Sequence, residues 1–594
     1  HHRPSTFMPA DVHIEQHADG AATVWLGEHD PMARMKGMHG VCLRPGRAVL
    51  ELRARVYNRT ADTQTFLWWA NVATRVHEHY QSFFPPDATY VADHAKRAMS
   101  TFPRCSGRYY GVDYAARARH GVPVDEAPRL YRPPGSYTPD DLSWYANIPV
   151  PTSYMCMGTE GDFFGGYDHR AEAGIVHVAD HHVAPGKKQW TWGNHEFGYA
   201  WDRNLTDADE NGEHRPYIEL MAGVYTDNQP DFSFLTPGET KSWTQHWYPI
   251  RAIGPAHAAN TEAALSLRIA GSGAHLGVAV TAPQPAARVR LEHRGHALAE
   301  FTRDLSPAQP LVEHVPLPRA ARATDLTLIV ATSTGRELLR YTPVTPRAFT
   351  ATELAAQAAT EPALPADVAS NDELYLIGLH LEQYRHATRF PETYWREALR
   401  RDPGDSRCHL RRGEFASAER HLRASIARLT HRNPNPADGE AHYQLARCLV
   451  LRWLSTAPKP DDTRSSLLRD AYAAAAKATW NHAWQSSGFH LLAQIDCLRH
   501  DWNAALAQIE RALRLNVDHL AARNLQAIVL RKLGREAEAQ TLLEQNLALD
   551  PLDAWSRHLL GRTLPGDTQI RLDLALDYAR AGFYGQALDA LADA

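Results

Sequence analysis

Residues 165–232 concentrate side chains suited to chemistry on polyhydroxylated molecules. The stretch holds Gly166-Tyr-Asp-His169, Ala179-Asp-His-His182, Trp190-Thr-Trp-Gly-Asn194, Glu196, Trp201-Asp-Arg-Asn204, Glu219 and Tyr225-Thr-Asp-Asn-Gln-Pro-Asp231. Indole rings stack on the apolar C–H face of a pyranose, while carboxylates and amides take its hydroxyls. Two carboxylates can act as acid and base, or as acid and nucleophile, at a glycosidic bond. Glu219 lies in the apolar, strand-like run Tyr217-Ile-Glu-Leu-Met221. A desolvated carboxylic acid there has a raised pKa, suited to acid catalysis. The expectation is a carbohydrate-active protein, foremost a glycoside hydrolase acting on an oligosaccharide. Glu219 and Asp227 form its carboxylate pair, with Asp202 and Glu196 in reserve. Trp190, Trp192 and Trp201 stack on sugar, and His94, His169 and His181 bond hydroxyls or tune a carboxylate. Asn194, Arg203 and Asp231 complete the binding set. Two other readings stay open: a sugar mutarotase or epimerase, and a non-catalytic glycan-binding scaffold.

Plainer readings apply to the same stretch. A tryptophan on a strand usually belongs to a core. Adjacent histidines on a strand point to opposite faces, so His181 and His182 are poor joint ligands and no metal or cofactor is expected. Lys187 and Lys188 follow Pro185-Gly186 and read as a solvated turn.

The elements that must position these groups are β up to about residue 250. In Val49–Tyr57, Leu50, Leu52, Ala54 and Val56 share one face and Glu51, Arg53 and Arg55 the other, the period of a half-buried strand. A second β region, 255–345, has short strand candidates at Leu265–Ile269, Leu276–Val280, Val289–Leu291 and Leu326–Val330, as in a small Ig-like sandwich. Residues 346–370 are rich in Ala, Thr and Pro and read as a linker. Helical period starts at Asn371, with Asn371 or Asp372 as cap and Leu374, Ile377 and Leu381 on one stripe. From about 470 a 34-residue interval appears. It relates Ala471, Ala505 and Ala539, then Ala478, Ala512 and Asn546, then Ala493 and Ala527. A helix–turn–helix of that period with small residues at the helix contacts resembles the tetratricopeptide repeat (TPR).

The chain has 594 residues, which implies several domains. A formal charge of only -5 argues against nucleic acid or an anionic membrane as partner, and no apolar run spans a bilayer. The six cysteines are scattered without CxxC spacing, which suits a reducing compartment and a cytoplasmic location. The opening His1-His2-Arg3-Pro4 shows no signal-peptide pattern.

Two segments resemble the galactose mutarotase-like supersandwich. One runs from Leu43-Arg-Pro-Gly46 through Asn58-Arg-Thr60 to Trp68-Trp-Ala-Asn71. The other runs from Gly223 to Asp231, then Leu235-Thr-Pro-Gly-Glu239 and Trp243-Thr-Gln-His-Trp247. Residues 1–250 also resemble the uncharacterised bacterial family of domain of unknown function 5107. The matching motifs are Phe66–Asn71, Phe84-Pro-Pro-Asp87, Ile148–Ser153, Gly166–His169, Ala179–His182, Trp190–Asn194, Trp201–Asn204 and Tyr225–Asp231. The resemblance implies opening strands ahead of His1 and attached tetratricopeptide repeats. The implied architecture is an all-β mutarotase-like supersandwich (1–252), a small β-sandwich (255–345), the linker, and an all-α TPR solenoid (371–594). The solenoid would take a protein partner or a second copy. Mutarotases carry a Glu base where Tyr225 to Asp227 stand here, and an Asn-His pair where Asn71-Val72 stands. A helix normally found between Asp-Ser-Arg-Cys and Arg-Gly is shortened at Ser406–Gly413, implying an irregular first hairpin.

Overall fold

Alternating apolar and polar residues build the first sheet. In the computed structural model, eight antiparallel strands lie in the spatial order Asp11–Gln16, Ala22–His29, Lys36–Leu43, Leu50–Tyr57, Thr240–Arg251, Ala173–Val178, Phe163–Asp168 and Tyr80–Phe83. Six more strands form a second sheet, ordered Trp68–Arg75, Tyr217–Val224, Gly186–Thr191, Thr152–Cys156, Tyr90–Ala92 and Met99–Thr101. Aromatic and aliphatic residues of both sheets, among them Phe164, Trp247, Tyr154, Ile218 and Leu220, share one buried core. The structure describes residues 10–592 except 31–33, 124–136, 227, 229–231, 320, 351–352, 355–357, 359–360, 385–388, 406, 409–414, 436–437, 456–461 and 565–566. Most of the Ser406–Gly413 segment therefore lies outside the described residues.

Strands between Ala258 and Tyr341 form two four-stranded sheets around Leu265, Val278, Val289, Leu291 and Leu328. The small sandwich also contains His296–Leu305, Leu311–Pro316 and Glu337–Tyr341, three strands that short-range pattern did not reveal. It packs against the large one through Ala256, Ala264 and Ala279, which meet Phe163, Tyr167 and Tyr248.

The C-terminal part is a TPR solenoid of helical hairpins, including His482–Leu498 with Trp502–Leu515 and Leu520–Lys532 with Glu536–Leu549. Every alanine of the 34-residue series from Ala471 to Ala539, and Asn546, is fully buried. Small side chains at these points let the helices approach closely. The helix Asn371–Tyr384 begins as expected, but its cap is Ser370, whose hydroxyl accepts from Glu373 N at 3.1 Å. The amide of Asn371 instead donates to Ala398 O.

The first helices of successive hairpins face the large sandwich. Arg447 pairs with Asp62 at 2.6 Å, and Ser487 Oγ donates to Pro237 O at 2.9 Å. Lys36 Nζ donates to Asp550 at 2.6 Å, with both side chains buried. Arg59 binds Asp573 at 2.7 Å and Asp577 at 2.6 Å. Arg55 and Tyr57, on the strand face expected to meet water, are covered by this array; Arg55 Nη1 donates to Leu549 O. The turns 57–62 and 235–239 thus lie against the first helices of the hairpins.

Candidate functional site

The six-stranded sheet has one core face and one open face. Ile218, Leu220 and Ala222 enter the core, so alternation turns Tyr217, Glu219 and Met221 outward. Register places Glu219 between Ala73 and Trp190, and Met221 between Asn71 and Lys188. Trp190 and Lys188 in turn lie opposite Ser153 and Met155. Asn71, Ala73 and Arg75 are exposed on this face.

Two polar pairs stand there. Asn71 Nδ2 donates to Glu219 Oε2 at 3.3 Å. Lys188 Nζ lies 2.7 Å from His94 Nδ1 and 5.6 Å from the Trp69 ring centre. An ammonium can only donate, so while Lys188 is charged His94 is the neutral tautomer with its proton on Nε2. Burial pulls the Lys188 ammonium down to about 8, and the charge of Glu219 opposes that shift. The loop carrying His94 is held by Asp93, whose side chain accepts from Arg97 N at 2.6 Å and whose carbonyl accepts from Asn228 Nδ2 at 3.0 Å. Tyr110 OH sits 2.9 Å from Ser153 Oγ and accepts from His94 N.

Aromatic rings border the carboxylate. Trp192 Nε1 donates to Tyr217 OH at 3.1 Å. Trp192 stacks on Trp201 with ring centres 4.7 Å apart and meets Trp190 edge-on at 5.3 Å. Trp201 stands on the helix Glu196–Leu205 and is 41% exposed, so an apolar ring remains open to solvent.

The structure brings together Glu219, His94, Trp190, Trp192 and Trp201. Asp227 and Asp231 lie outside the described residues. Asp202 is buried in the helix Glu196–Leu205; burial pushes its carboxyl up to about 7, opposed by the Tyr217 amide and Arg203. Glu196 and Arg203 are exposed on the same helix. Asn194 is a strut, its amide donating to the Tyr145 and Ala146 carbonyls at 3.1 and 2.7 Å. His169 stacks on Trp144 at 4.9 Å, at the junction with the small sandwich.

Two readings of local pattern are corrected. Lys187 and Lys188 are buried strand residues, because Gly186 already begins the strand. His181 and His182 sit in the turn after Val178 rather than on a strand, with ring centres 3.9 Å apart. Their ligand atoms and that of Asp180 lie within 4.8 Å of one another, while His181 Nδ1 is 2.8 Å from Asp162. Lys188, Asn71, Trp69 and Tyr217 were missed as site residues. Alternation through Gly186–Thr191, paired with Tyr217–Val224, carries the signal for Lys188.

Residues 1–250 match the model of domain of unknown function DUF5107, and residues 258–341 match the YphG-like protein, second domain. A TPR-domain containing protein from Parabacteroides distasonis is 16% identical over 95% of this chain and 77% of its own, with a TM-score of 0.31. An aldose 1-epimerase, so titled as a provisional assignment, from Klebsiella pneumoniae is 9% identical over 40% of this chain and 53% of its own, with a TM-score of 0.26. A thermophilic TPR protein from Thermus thermophilus is 18% identical over 32% of this chain and 97% of its own, with a TM-score of 0.25. By the two family models, residues 1–250 of the chain are a DUF5107 domain and residues 258–341 a YphG-like second domain.

Proposed function

We propose that the open face of the six-stranded sheet binds a carbohydrate and performs acid–base chemistry at its anomeric carbon. The observation that carries this reading is the placement of Glu219 and the Lys188–His94 pair on one open face, beside exposed indole. Glu219 is the base, oriented by Asn71. His94, its Nδ1 engaged by Lys188, offers an Nε2 proton to a sugar oxygen. Trp190, Trp192 and Trp201 supply the stacking surface. This arrangement suits opening and reclosure of a free sugar's hemiacetal, the mutarotase or epimerase reading.

Glycoside hydrolysis is the second reading. Hydrolysis needs a second carboxylate to work with Glu219.

The test is NMR anomer exchange on free sugars run beside product release from oligosaccharides and aryl glycosides. Wild type should accelerate one of them, and Glu219→Gln should reduce that rate by 100-fold or more, on the order expected for losing a general base. Binding without either reaction would leave a glycan-binding scaffold. Absence of binding as well would remove the carbohydrate reading.

A further inference from the structure

A cavity of about 680 Å3 lies where the large sandwich meets the small one, away from Glu219 and Lys188. One wall is a stack of flat rings. Tyr137 lies over Trp144 with ring centres 4.3 Å apart, and His169 lies over Trp144 at 4.9 Å. Gln81 fixes His169 through a 3.0 Å contact to Nε2. Arg268, from the small sandwich, also lines the cavity and forms no ion pair among the described residues. Imidazoles of His169 and His257 stand in the same lining, as do two carboxylates, Glu172 and Asp141, the latter accepting from Ser143 N and Oγ. Burial, then the charge of Arg268, holds His169 and His257 down to about 4, so both are neutral near pH 7.

The backbone here is unusual as well. Glu172 and Ala252 both line the cavity and both adopt left-handed conformations, with φ of 49° and 62°. The Ala252 amide donates to the Glu172 carbonyl at 2.7 Å, locking the two together. Non-glycine residues hold such angles at a cost that the surrounding structure must offset.

We propose that this junction cavity is a second binding site, for a carboxylate-bearing sugar such as a uronic acid unit. Arg268 takes the ligand's carboxylate, for which its guanidinium has a bidentate match. Glu172 and His257 take hydroxyls, and the ring stack covers one apolar face. The proposal extends the carbohydrate reading by naming a sugar class. It uses none of the residues of the open face, so either can fail alone.

The experiment is calorimetric titration of the full chain with galacturonate and glucuronate oligomers and with their neutral counterparts. Wild type, Arg268→Gln and Glu219→Gln are compared, with circular dichroism to confirm folding. Uronate oligomers should bind wild type and Glu219→Gln alike, and Arg268→Gln should weaken that binding by about tenfold or more, as for loss of a charge-assisted hydrogen bond. Four results would overturn the proposal: no uronate binding, binding unchanged in Arg268→Gln, equal binding of neutral oligomers, or loss confined to Glu219→Gln.

Discussion

Lys188 has its ammonium shut between His94 and Trp69 with 3% exposure, yet burial lowers it only to about 8. Below that pH it is charged and holds His94 as the Nε2–H donor. Above it the neutral amine no longer imposes that tautomer. Sugar turnover or binding at the open face should therefore fall as pH rises through about 8. In Lys188→Met this alkaline limb should vanish and the remaining activity be low throughout; a pH–rate profile checks both. Asp202 is the opposite case, an acid pushed up to about 7 by burial. Its buried charge becomes costly as pH rises from the ordinary carboxylate range towards and past 7, where the unfolded chain ionises freely. Asp202→Asn should raise the melting temperature by a few degrees at pH 8 and far less at pH 5, measured by differential scanning calorimetry.

The repeats test the fold at the level of elements. Ala527 is fully buried in the helix Leu520–Lys532, in the core shared with neighbouring hairpins. Ala527→Leu should overpack this contact and cost about 1–3 kcal/mol, seen as a lower urea midpoint. Such features were legible because they are local. The 34-residue spacing of alanines, the alternation in Leu50–Tyr57 and the strand around Glu219 are all visible within short windows of sequence. What failed was decided at longer range. Pro185-Gly186 announces a turn, but only the pairing of Gly186–Thr191 with two neighbours reveals that Lys188 sits inside a sheet. His94 and His169 look alike in sequence, and sheet order alone sends one to the open face and the other to the junction cavity. Asp202 reads as a reserve carboxylate of the site, and only the fold shows it buried in the helix Glu196–Leu205.

Across the whole molecule, charge is buried between sandwich and solenoid. Lys36→Met would leave Asp550 without its ammonium, at a cost of about 3–5 kcal/mol in urea unfolding. Lys36→Met combined with Asp550→Leu should recover most of that loss. Histidines at the same boundary add a pH limit. Burial holds His29 and His490 down to about 4, and it holds His519 well below its ordinary value. A histidine kept neutral in the fold adds stability above its unfolded value of about 6.5, and that stability drains away as pH drops towards 4. Thermal melts should show the solenoid boundary weakening over that interval. The pairing of Lys36 with Asp550 also has a bearing on synthesis. The two partners are 514 residues apart, so the lysine leaves the ribosome long before its carboxylate has been translated. During that interval the nascent sandwich presents a charged, unfinished flank, and it becomes a finished domain only when the last hairpins arrive to close it.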